Sequence, residues 1–251
     1  MKKPGKDHGP ATPDRDQHVR LNKFLANCGI CSRREADNLI LQGLVTVNGQ
    51  VVTALGSKVL PTDEILFKGK KLSTEKLRYV LLNKPRDFIT TTKDERDRKT
   101  VMQLVATACE ERIYPVGRLD RNTTGLLLLT NDGELADKLM HPSKKIVKIY
   151  KVDLDKPITE NDFNKIVEGT ELEDGLALVD ELSILTKDKK ELGIEIHMGK
   201  NRIVRRIFEH YGYEVIRLDR VAYAGLDKKD LPRGKWRYLN EKELIRLKHL
   251  L

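Results

Sequence analysis

A run of four leucines at residues 126–129 limits the possible folds of this chain more than any other segment. A short apolar run bounded by polar residues is typical of a strand that is buried on both faces. A polar loop that contains Asp120 leads into this run through Gly125. We therefore expect Asp120 to lie just before the N-terminal end of a buried strand, held rigidly against the core. The same residues also fit a simple turn, which Asn122 and Gly125 would complete.

The length and the charge of the chain restrict its class. Its 251 residues are enough for one large domain or for two domains with separate cores. The 47 Lys and Arg residues outnumber the 38 Asp and Glu residues, and the net charge of +9 favours a polyanionic partner. No apolar run approaches the ~20 residues of a membrane span, and the N-terminus lacks the apolar core of a signal peptide. We expect a cytoplasmic protein with no membrane partner.

The cysteines do not indicate a metal site. Cys28, Cys31 and Cys109 cannot form a disulfide framework, because one of the three is left over. Cys28 and Cys31 have CxxC spacing, but no second pair follows at zinc-finger distance. Cys28 continues a helical apolar row that begins at Leu21, which favours packing in a core. We expect no metal ion.

Composition and periodicity divide the chain into three regions. Residues 1–18 are rich in proline, glycine and charge, which is typical of a disordered, basic-leaning tail. Residues 19–75 predict a small domain of two helices and a hairpin. Residues 76–251 contain more strand-like than helix-like segments, and the two types do not alternate strictly. The third region therefore predicts an α+β domain with a largely antiparallel sheet and flanking helices.

The small domain has clear local signals and a basic face. Ser32 and Glu35 form a capping box for the second helix, and the pair Asn48-Gly49 predicts a tight hairpin turn. Four basic residues lie on the polar face: Arg20, Lys23, Arg33 and Arg34. The last two follow a helix N-terminus, whose free amides attract phosphate. A solvated charged face explains these residues equally well.

The third region carries none of the common cofactor or nucleophile signatures. It contains no glycine-rich phosphate loop, no metal-ligand set and no nucleophile with a paired histidine. Any reaction would therefore use a carboxylate, an aromatic ring and basic residues. An ionised Asp120 is a suitable nucleophile for such a reaction.

The segment GRLDRNTTGLLLLTNDGEL, residues 117–135, resembles the catalytic motif of bacterial ribosomal RNA pseudouridine synthases. The match extends from about Val19 to the C-terminus. The segment that begins RLNKFLANCGICSRREAD is similar to the α-L RNA-binding module of many RNA-modifying enzymes, which favours RNA contact by the small domain. The resemblance implies a reaction without metal or cofactor, because uracil is detached from ribose and rejoined through carbon.

The resemblance also assigns roles to single residues. Asp120 matches the catalytic aspartate, and Tyr150 in KIYKV matches the aromatic residue placed against the target uracil. Arg205 in MGKNRIVRRIF matches the active-site arginine, which would keep the Asp120 carboxylate ionised and oriented. Without the resemblance, Tyr150 fits a half-buried strand and Arg205 a basic helix face. Three more residues are expected to contact RNA: Arg118, Arg202 and Arg206.

A few positions concern the shape of the site rather than its chemistry. Lys84 and Pro85 belong to the family's NKP motif, to which we assign a structural role. Asp87 stands where members usually have Gly, and Ile203 where they usually have Gln. These departures put the local loop shape and one polar contact in question, and leave Asp120 unaffected.

We predict a two-domain enzyme that converts one uridine of large-subunit ribosomal RNA, or of its precursor particle, to pseudouridine. The segment GKNRIVRRIFEHYGYEVIRLDR resembles the large-subunit members of types B and F. A tRNA or small-subunit rRNA synthase is an alternative with the same chemistry. A non-catalytic rRNA-binding ribosome-assembly factor is an alternative from another class. We expect a monomer without a cofactor.

Overall fold

The computed structural model describes residues 18–250, so the predicted tail lies outside the described residues except for His18. The chain divides into a first unit that ends at Lys76 and a second unit that begins at Leu77. Each unit has its own hydrophobic core. None of the described helices is long and apolar enough to cross a membrane.

The first unit packs two helices against short strands. Its elements are β1 (Val19–Arg20), α1 (Leu21–Asn27), α2 (Arg33–Leu41), β2 (Val45–Val47), β3 (Gln50–Val51), β4 (Lys58–Val59), β5 (Ile65–Phe67) and β6 (Lys70–Lys71). Strands β3, β2, β5 and β6 form an antiparallel sheet, and β1 pairs with β4. The structure thus adds β4, β5 and β6 to the predicted hairpin. Strands of two or three residues are too short to show periodicity in sequence.

The local signals of the first unit are confirmed. The Ser32 hydroxyl accepts a hydrogen bond from the Glu35 amide at 3.3 Å, and the Glu35 carboxylate accepts one from the Ser32 amide at 2.8 Å. Asn48 and Gly49 have φ values of 50° and 80°, as a primed hairpin turn requires. The core of the unit lies between the helices and the sheet and includes Leu21.

The second unit has the predicted α+β composition. Its elements are β7 (Tyr79–Lys84), α3 (Val101–Leu104), β8 (Tyr114–Pro115), β9 (Thr124–Thr130), α4 (Gly133–Met140), a 3-10 helix (Pro142–Lys144), β10 (Lys148–Leu154), α5 (Glu160–Glu168), β11 (Thr170–Leu172), β12 (Gly175–Ala177), β13 (Glu181–Ile184), β14 (Glu191–Ile196), α6 (Ile203–His210), β15 (Val215–Tyr223), β16 (Leu226–Asp227), β17 (Trp236–Tyr238) and α7 (Glu241–His249).

One large sheet organises the second unit. Its strand order is β13-β14-β10-β15-β9-β7-β17, with β16 added beside β15 and β8 beside β9. Of the strand pairs described in this sheet, β15 with β9 is parallel and the others are antiparallel. Strands β11 and β12 form a separate hairpin. The prediction of a largely antiparallel sheet is confirmed.

The leucine run is the middle of β9 and is buried on both faces, as predicted. Leu127 and Leu129 belong to the core on one face, and Leu126 and Leu128 to the core on the other. All four are 0% exposed. Because side chains alternate along a strand, this single segment contributes to both cores and fixes the position of the loop before it.

Two element boundaries differ from the sequence prediction. The segment NRIVRRIFEHYG predicts an amphipathic helix from Asn201, but helix α6 begins at Ile203, because Arg202 adopts a left-handed conformation with φ 47°. The segment ALVDELSIL, residues 177–185, predicts one strand, but in the structure β12 ends at Ala177 and β13 begins at Glu181. The sequence also predicts Asn240 and Glu243 as the cap pair of the last helix, and the structure confirms it with two hydrogen bonds of 2.9 Å between them.

Candidate active site

Asp120 lies in the loop that connects β8 to β9, and its side chain is half-buried. Backbone and side-chain hydrogen bonds hold this loop on both sides of the carboxylate. The Thr90 hydroxyl donates to the Leu119 carbonyl at 2.8 Å, and the Thr123 amide donates to the Asp120 carbonyl at 3.1 Å. The loop therefore presents Asp120 in one defined position next to the buried strand, as the sequence predicted.

Lys84 is the residue that holds this loop most directly. It ends β7, is 0% exposed, and its ammonium lies within hydrogen-bond distance of four backbone carbonyls. Three acceptors belong to the loop: Thr123 at 2.8 Å, Asp120 at 3.0 Å and Arg121 at 3.3 Å. Burial lowers the pKa of Lys84 to about 8, while the Asp120 carboxylate acts in the opposite direction. The structural role assigned to the NKP motif is thus the anchoring of the Asp120 loop.

Gly125 sets how closely β9 approaches β15. The two strands pair in parallel, with Gly125 opposite Arg220. A Cβ atom on Gly125 would lie 2.2 Å from the carbonyl oxygen of Arg220, and the residue has φ +107°. Only glycine tolerates both the contact and this backbone conformation. The close approach of Arg220 and the positive φ together explain the glycine at this position of the motif.

Tyr150 lies on β10, between Ile194 of β14 and Arg220 of β15. It is 9% exposed and belongs to the same core as Leu127. Its hydroxyl makes no hydrogen bond with the described part of the chain. A β-bulge lies between Ile149 and Tyr150, which changes the local direction of the strand.

Arg205 lies in α6 and is 8% exposed. It donates a hydrogen bond of 2.6 Å to the Val215 carbonyl, whereas its Nε atom has no acceptor among the described residues. Burial and then the charge of Arg202 lower the pKa of Arg205, and the Asp120 carboxylate opposes them. The Asp120 carboxylate therefore acts on Arg205 electrostatically, and the two side chains form no ion pair among the described residues.

The comparison with known proteins identifies the family. A model of the RNA pseudouridylate synthase family matches residues 78–210, and a model of the S4 domain matches residues 19–65. The chain is 44% identical over 235 residues to ribosomal large subunit pseudouridine synthase B of Bacillus subtilis (strain 168), covering 92% of this chain and 96% of that protein. This chain belongs to the RNA pseudouridine synthase family. It is an isomerase that acts on RNA, as its motifs predicted.

Further comparisons agree with the assignment to this family. The chain is 38% identical over 244 residues to dual-specificity RNA pseudouridine synthase RluF of Escherichia coli (strain K12), covering 94% of this chain and 80% of that protein. A crystal structure of a pseudouridylate synthase matches with a TM-score of 0.64 and 29% identity, covering 91% of this chain and 99% of that chain. Both matches include the small domain and the sheet domain of a pseudouridine synthase.

The two departures from the family pattern have structural explanations. Asp87 has φ 67°, a conformation that favours glycine and that aspartate tolerates better than most residues. Its amide donates to the Arg121 carbonyl at 2.9 Å, so it still supports the Asp120 loop. Ile203 is buried at the start of α6 and packs in the core, so it supplies no polar contact.

The basic residues predicted to bind RNA differ in their surroundings. Arg118 is exposed and makes no hydrogen bond or ion pair within residues 18–250. Arg202 pairs with Glu209 at 3.1 Å, and Arg206 pairs with Asp174. These pairings compete with phosphate, so Arg118 is the most available of the three.

In the first unit, the predicted RNA-binding residues lie on or next to the two helices. Arg20, Arg33 and Arg34 are exposed, and Lys23 is half-buried in α1. Arg33 and Arg34 form the first turn of α2, directly after the Ser32 cap. Their placement beside free helix amides is the one that the sequence predicted.

A polar cluster around the half-buried Asp219 was not predicted from the sequence. The Asp219 carboxylate accepts hydrogen bonds from Thr124 at 2.6 Å, from Arg233 at 2.8 Å and from Lys228. Burial alone would raise the pKa of Asp219, but the hydrogen bonds from Arg233, Lys228 and Thr124 lower it to about 2. Arg233 also donates to the Asn83 side chain at 2.6 Å. The cluster thus connects β7, which contains Asn83, to β15, which contains Asp219. Its members come from separate strands and loops, so they do not form a motif in the sequence.

Proposed function

We propose that this protein converts one uridine of large-subunit ribosomal RNA to pseudouridine, with Asp120 as the nucleophile. The observation that carries the choice of RNA is the 44% identity over 92% of the chain to ribosomal large subunit pseudouridine synthase B. The exposed arginines of the first unit and the net charge of +9 support a phosphate-rich, folded substrate.

The reaction needs no reagent other than the RNA itself. The bond from N1 of uracil to C1′ of ribose breaks, and a bond from C5 to C1′ replaces it. A proton leaves C5 and N1 gains one, so the product is an isomer of the substrate. A carboxylate that forms and then releases a covalent intermediate is sufficient for this exchange.

The candidate residues have complementary roles in this proposal. The target uridine leaves its stack before the pocket encloses it. Tyr150 then supports the uracil ring, and Asp120 attacks from a loop that Lys84 keeps in place. Arg205 supplies positive charge near the carboxylate, and Arg118 contacts the RNA close to the vacated base position. Arg202 and Arg206 contact phosphates at the rim when RNA displaces their carboxylate partners.

The first unit and the remaining partners complete the proposal. Arg20, Lys23, Arg33 and Arg34 bind RNA phosphates outside the catalytic pocket. The protein acts as a cytoplasmic monomer on the rRNA or on its precursor particle, without a metal or cofactor. Size-exclusion chromatography with light scattering tests the monomer, because a dimer would double the expected mass.

Separate incubations with three unmodified RNAs test the choice of substrate. We expect a new pseudouridine, mapped by carbodiimide labelling and reverse transcription, in large-subunit rRNA. Small-subunit rRNA and tRNA should remain unmodified. One relative is named a dual-specificity RNA pseudouridine synthase, so all three RNAs are incubated with the protein in parallel. Modification confined to tRNA or small-subunit rRNA would refute the proposal, and Asp120→Asn serves as the inactive control.

A further inference from the structure

A cavity of about 410 Å³ lies where β9 and β15 begin to pair. The two strands pair only at Asp219 with Thr124 and at Arg220 with Gly125 among the described registers. Before these positions the chain segments are not paired, and residues from both segments line the cavity. Asp120, Tyr150 and Arg205 are not among the lining residues, so the cavity is distinct from the candidate catalytic cluster.

The cavity lies on the opposite face of β10 and β15 from Tyr150. Lys151 pairs with Asp219, and Asp153 pairs with Arg217, and all four line the cavity. Side chains alternate along a strand, so Tyr150 and the residues in register with it face the other way, into the core. The cavity is therefore not the surface on which Tyr150 would stack a base.

The catalytic loop nevertheless borders the cavity. Asn122 lines it and is two residues from Asp120, so their Cα atoms lie within about 7 Å of each other. Arg86 also lines it, and its charge is one of those that lower the pKa of Arg205. A strand of RNA whose target base enters the catalytic pocket would therefore pass close to the cavity.

The lining has an excess of positive charge. Four cationic side chains and two carboxylates contribute to it: Arg86, Lys151, Arg217, Arg233, Asp153 and Asp219. Arg233 and Lys228 both bind Asp219 and neutralise it.

Two of the cations remain available to a ligand. Arg86 is exposed and forms no ion pair or hydrogen bond in the part of the chain that the structure describes. The Arg217 side chain is 76% exposed, and its nearest carboxylate oxygen, on Asp153, is 3.9 Å away. Exposed guanidinium groups without a close carboxylate partner are suited to bind phosphate, because their planar donors match two phosphate oxygens.

We propose that this cavity, the basic cavity, binds the phosphate and ribose of one nucleotide next to the target uridine. The inference rests on the proposed function and identifies a second contact surface for the same RNA. The volume is within the range of small-ligand pockets, so one nucleotide unit fits. No aromatic side chain is among the lining residues, which favours the backbone of the RNA over a stacked base.

The double variant Arg86→Ala and Arg217→Ala tests the basic cavity. Both side chains are exposed, so the variant should keep the urea midpoint of the wild type. We expect KM for unmodified large-subunit rRNA to rise about tenfold, with kcat within threefold of the wild type. The slope of log affinity against log salt should become shallower by about 1.4, from two lost single-strand phosphate contacts. Arg86→Lys with Arg217→Lys should restore most of the slope, because it keeps both charges.

Lys242→Ala is the matched control, because Lys242 is an exposed cation on α7 outside the cavity. A double variant with the KM and salt slope of this control would overturn the proposal. A loss confined to kcat would also overturn it, since the two arginines would then support the catalytic loop and not the RNA. If the wild type modified no rRNA, the proposed function would fail. Filter binding of the double variant to the same RNA would still test the basic cavity, and a salt slope equal to that of the wild type would refute the cavity proposal.

Discussion

Replacing Lys84 with methionine tests whether this lysine holds the Asp120 loop. An ammonium has three N–H donors, and charge-assisted hydrogen bonds contribute ~1.5–3 kcal/mol each. The substitution also removes the cost of burying the charge. The pKa of Lys84 is lowered from 10.5 to about 8, and this difference corresponds to roughly 3 kcal/mol. We therefore expect Lys84→Met to reduce the free energy of unfolding by about 1 to 6 kcal/mol.

Lys148→Met is the matched control for stability. Burial and then the charge of Arg220 lower the pKa of Lys148 to about 8, as for Lys84. However, the Lys148 ammonium donates to only two carbonyls, those of Ile146 and His197, each at 2.8 Å. With a similar burial cost and fewer hydrogen bonds, its loss should be smaller, about 0 to 3 kcal/mol. Urea unfolding of both variants at pH 7 measures the difference.

Activity and pH give two independent checks on Lys84. The Lys84→Met variant should show a lower kcat at a temperature where it is fully folded, because the Asp120 carbonyl is one of the acceptors. The folded-state pKa of Lys84 is below its unfolded value, so the unfolded chain binds more protons between pH 8 and 10.5. The stability of the wild type relative to the variant should therefore increase as pH rises through this window. Unchanged unfolding free energy together with wild-type kcat would show that Lys84 does not hold the loop.

Four further predictions concern the catalytic unit and its separation from the first. Asp120→Asn should lower turnover by at least ~10⁴-fold while RNA affinity is retained, and equal loss of both would indicate a structural role. Arg205→Leu should slow turnover by roughly 10²–10³-fold and weaken RNA binding less, and a change in affinity alone would contradict its role. Gly125→Ala should destabilise by about 2 to 5 kcal/mol in urea unfolding, because its Cβ meets the Arg220 backbone, and a stable variant would refute the close approach. A protein that begins at Leu77 should fold, and its salt slope for rRNA should be shallower by about 3, whereas an unchanged slope would exclude RNA binding by the first unit.

The features that the sequence predicted well are those determined within a few residues. The leucine run predicts a strand buried on both faces, because it is short, is bounded by polar residues and places alternate side chains in two cores. The capping box of Ser32 and Glu35 and the Asn48-Gly49 turn depend on side chains three positions apart or fewer. Such signals act through local hydrogen bonds and backbone conformation, which can be predicted from the types of neighbouring residues.

The features that the sequence did not predict depend on contacts between distant segments. Asn83 and Arg233 meet although 150 residues separate them. Strand β17 has three residues, too few to show periodicity, and it pairs with β7 at the edge of the sheet. The number of carbonyls around Lys84 could not be predicted either, because every residue has a backbone carbonyl whatever its type. Asp219 showed no motif for the same reason, since its partners come from separate strands and loops.

The surroundings of Arg205 suggest how stability and activity are separated in this site. A buried guanidinium with an unpaired Nε costs stability, since an unsatisfied buried donor costs ~1–3 kcal/mol. Leucine at this position would remove that cost and would leave only the Val215 carbonyl without its donor. Stability alone therefore does not explain the arginine. The proposed mechanism gives a reason for the arginine: it places a positive charge near Asp120, and the carboxylate or the bound RNA would supply the missing acceptor. The residue is thus incompletely satisfied in the free protein, which is the state expected of a group whose interactions are completed during the reaction.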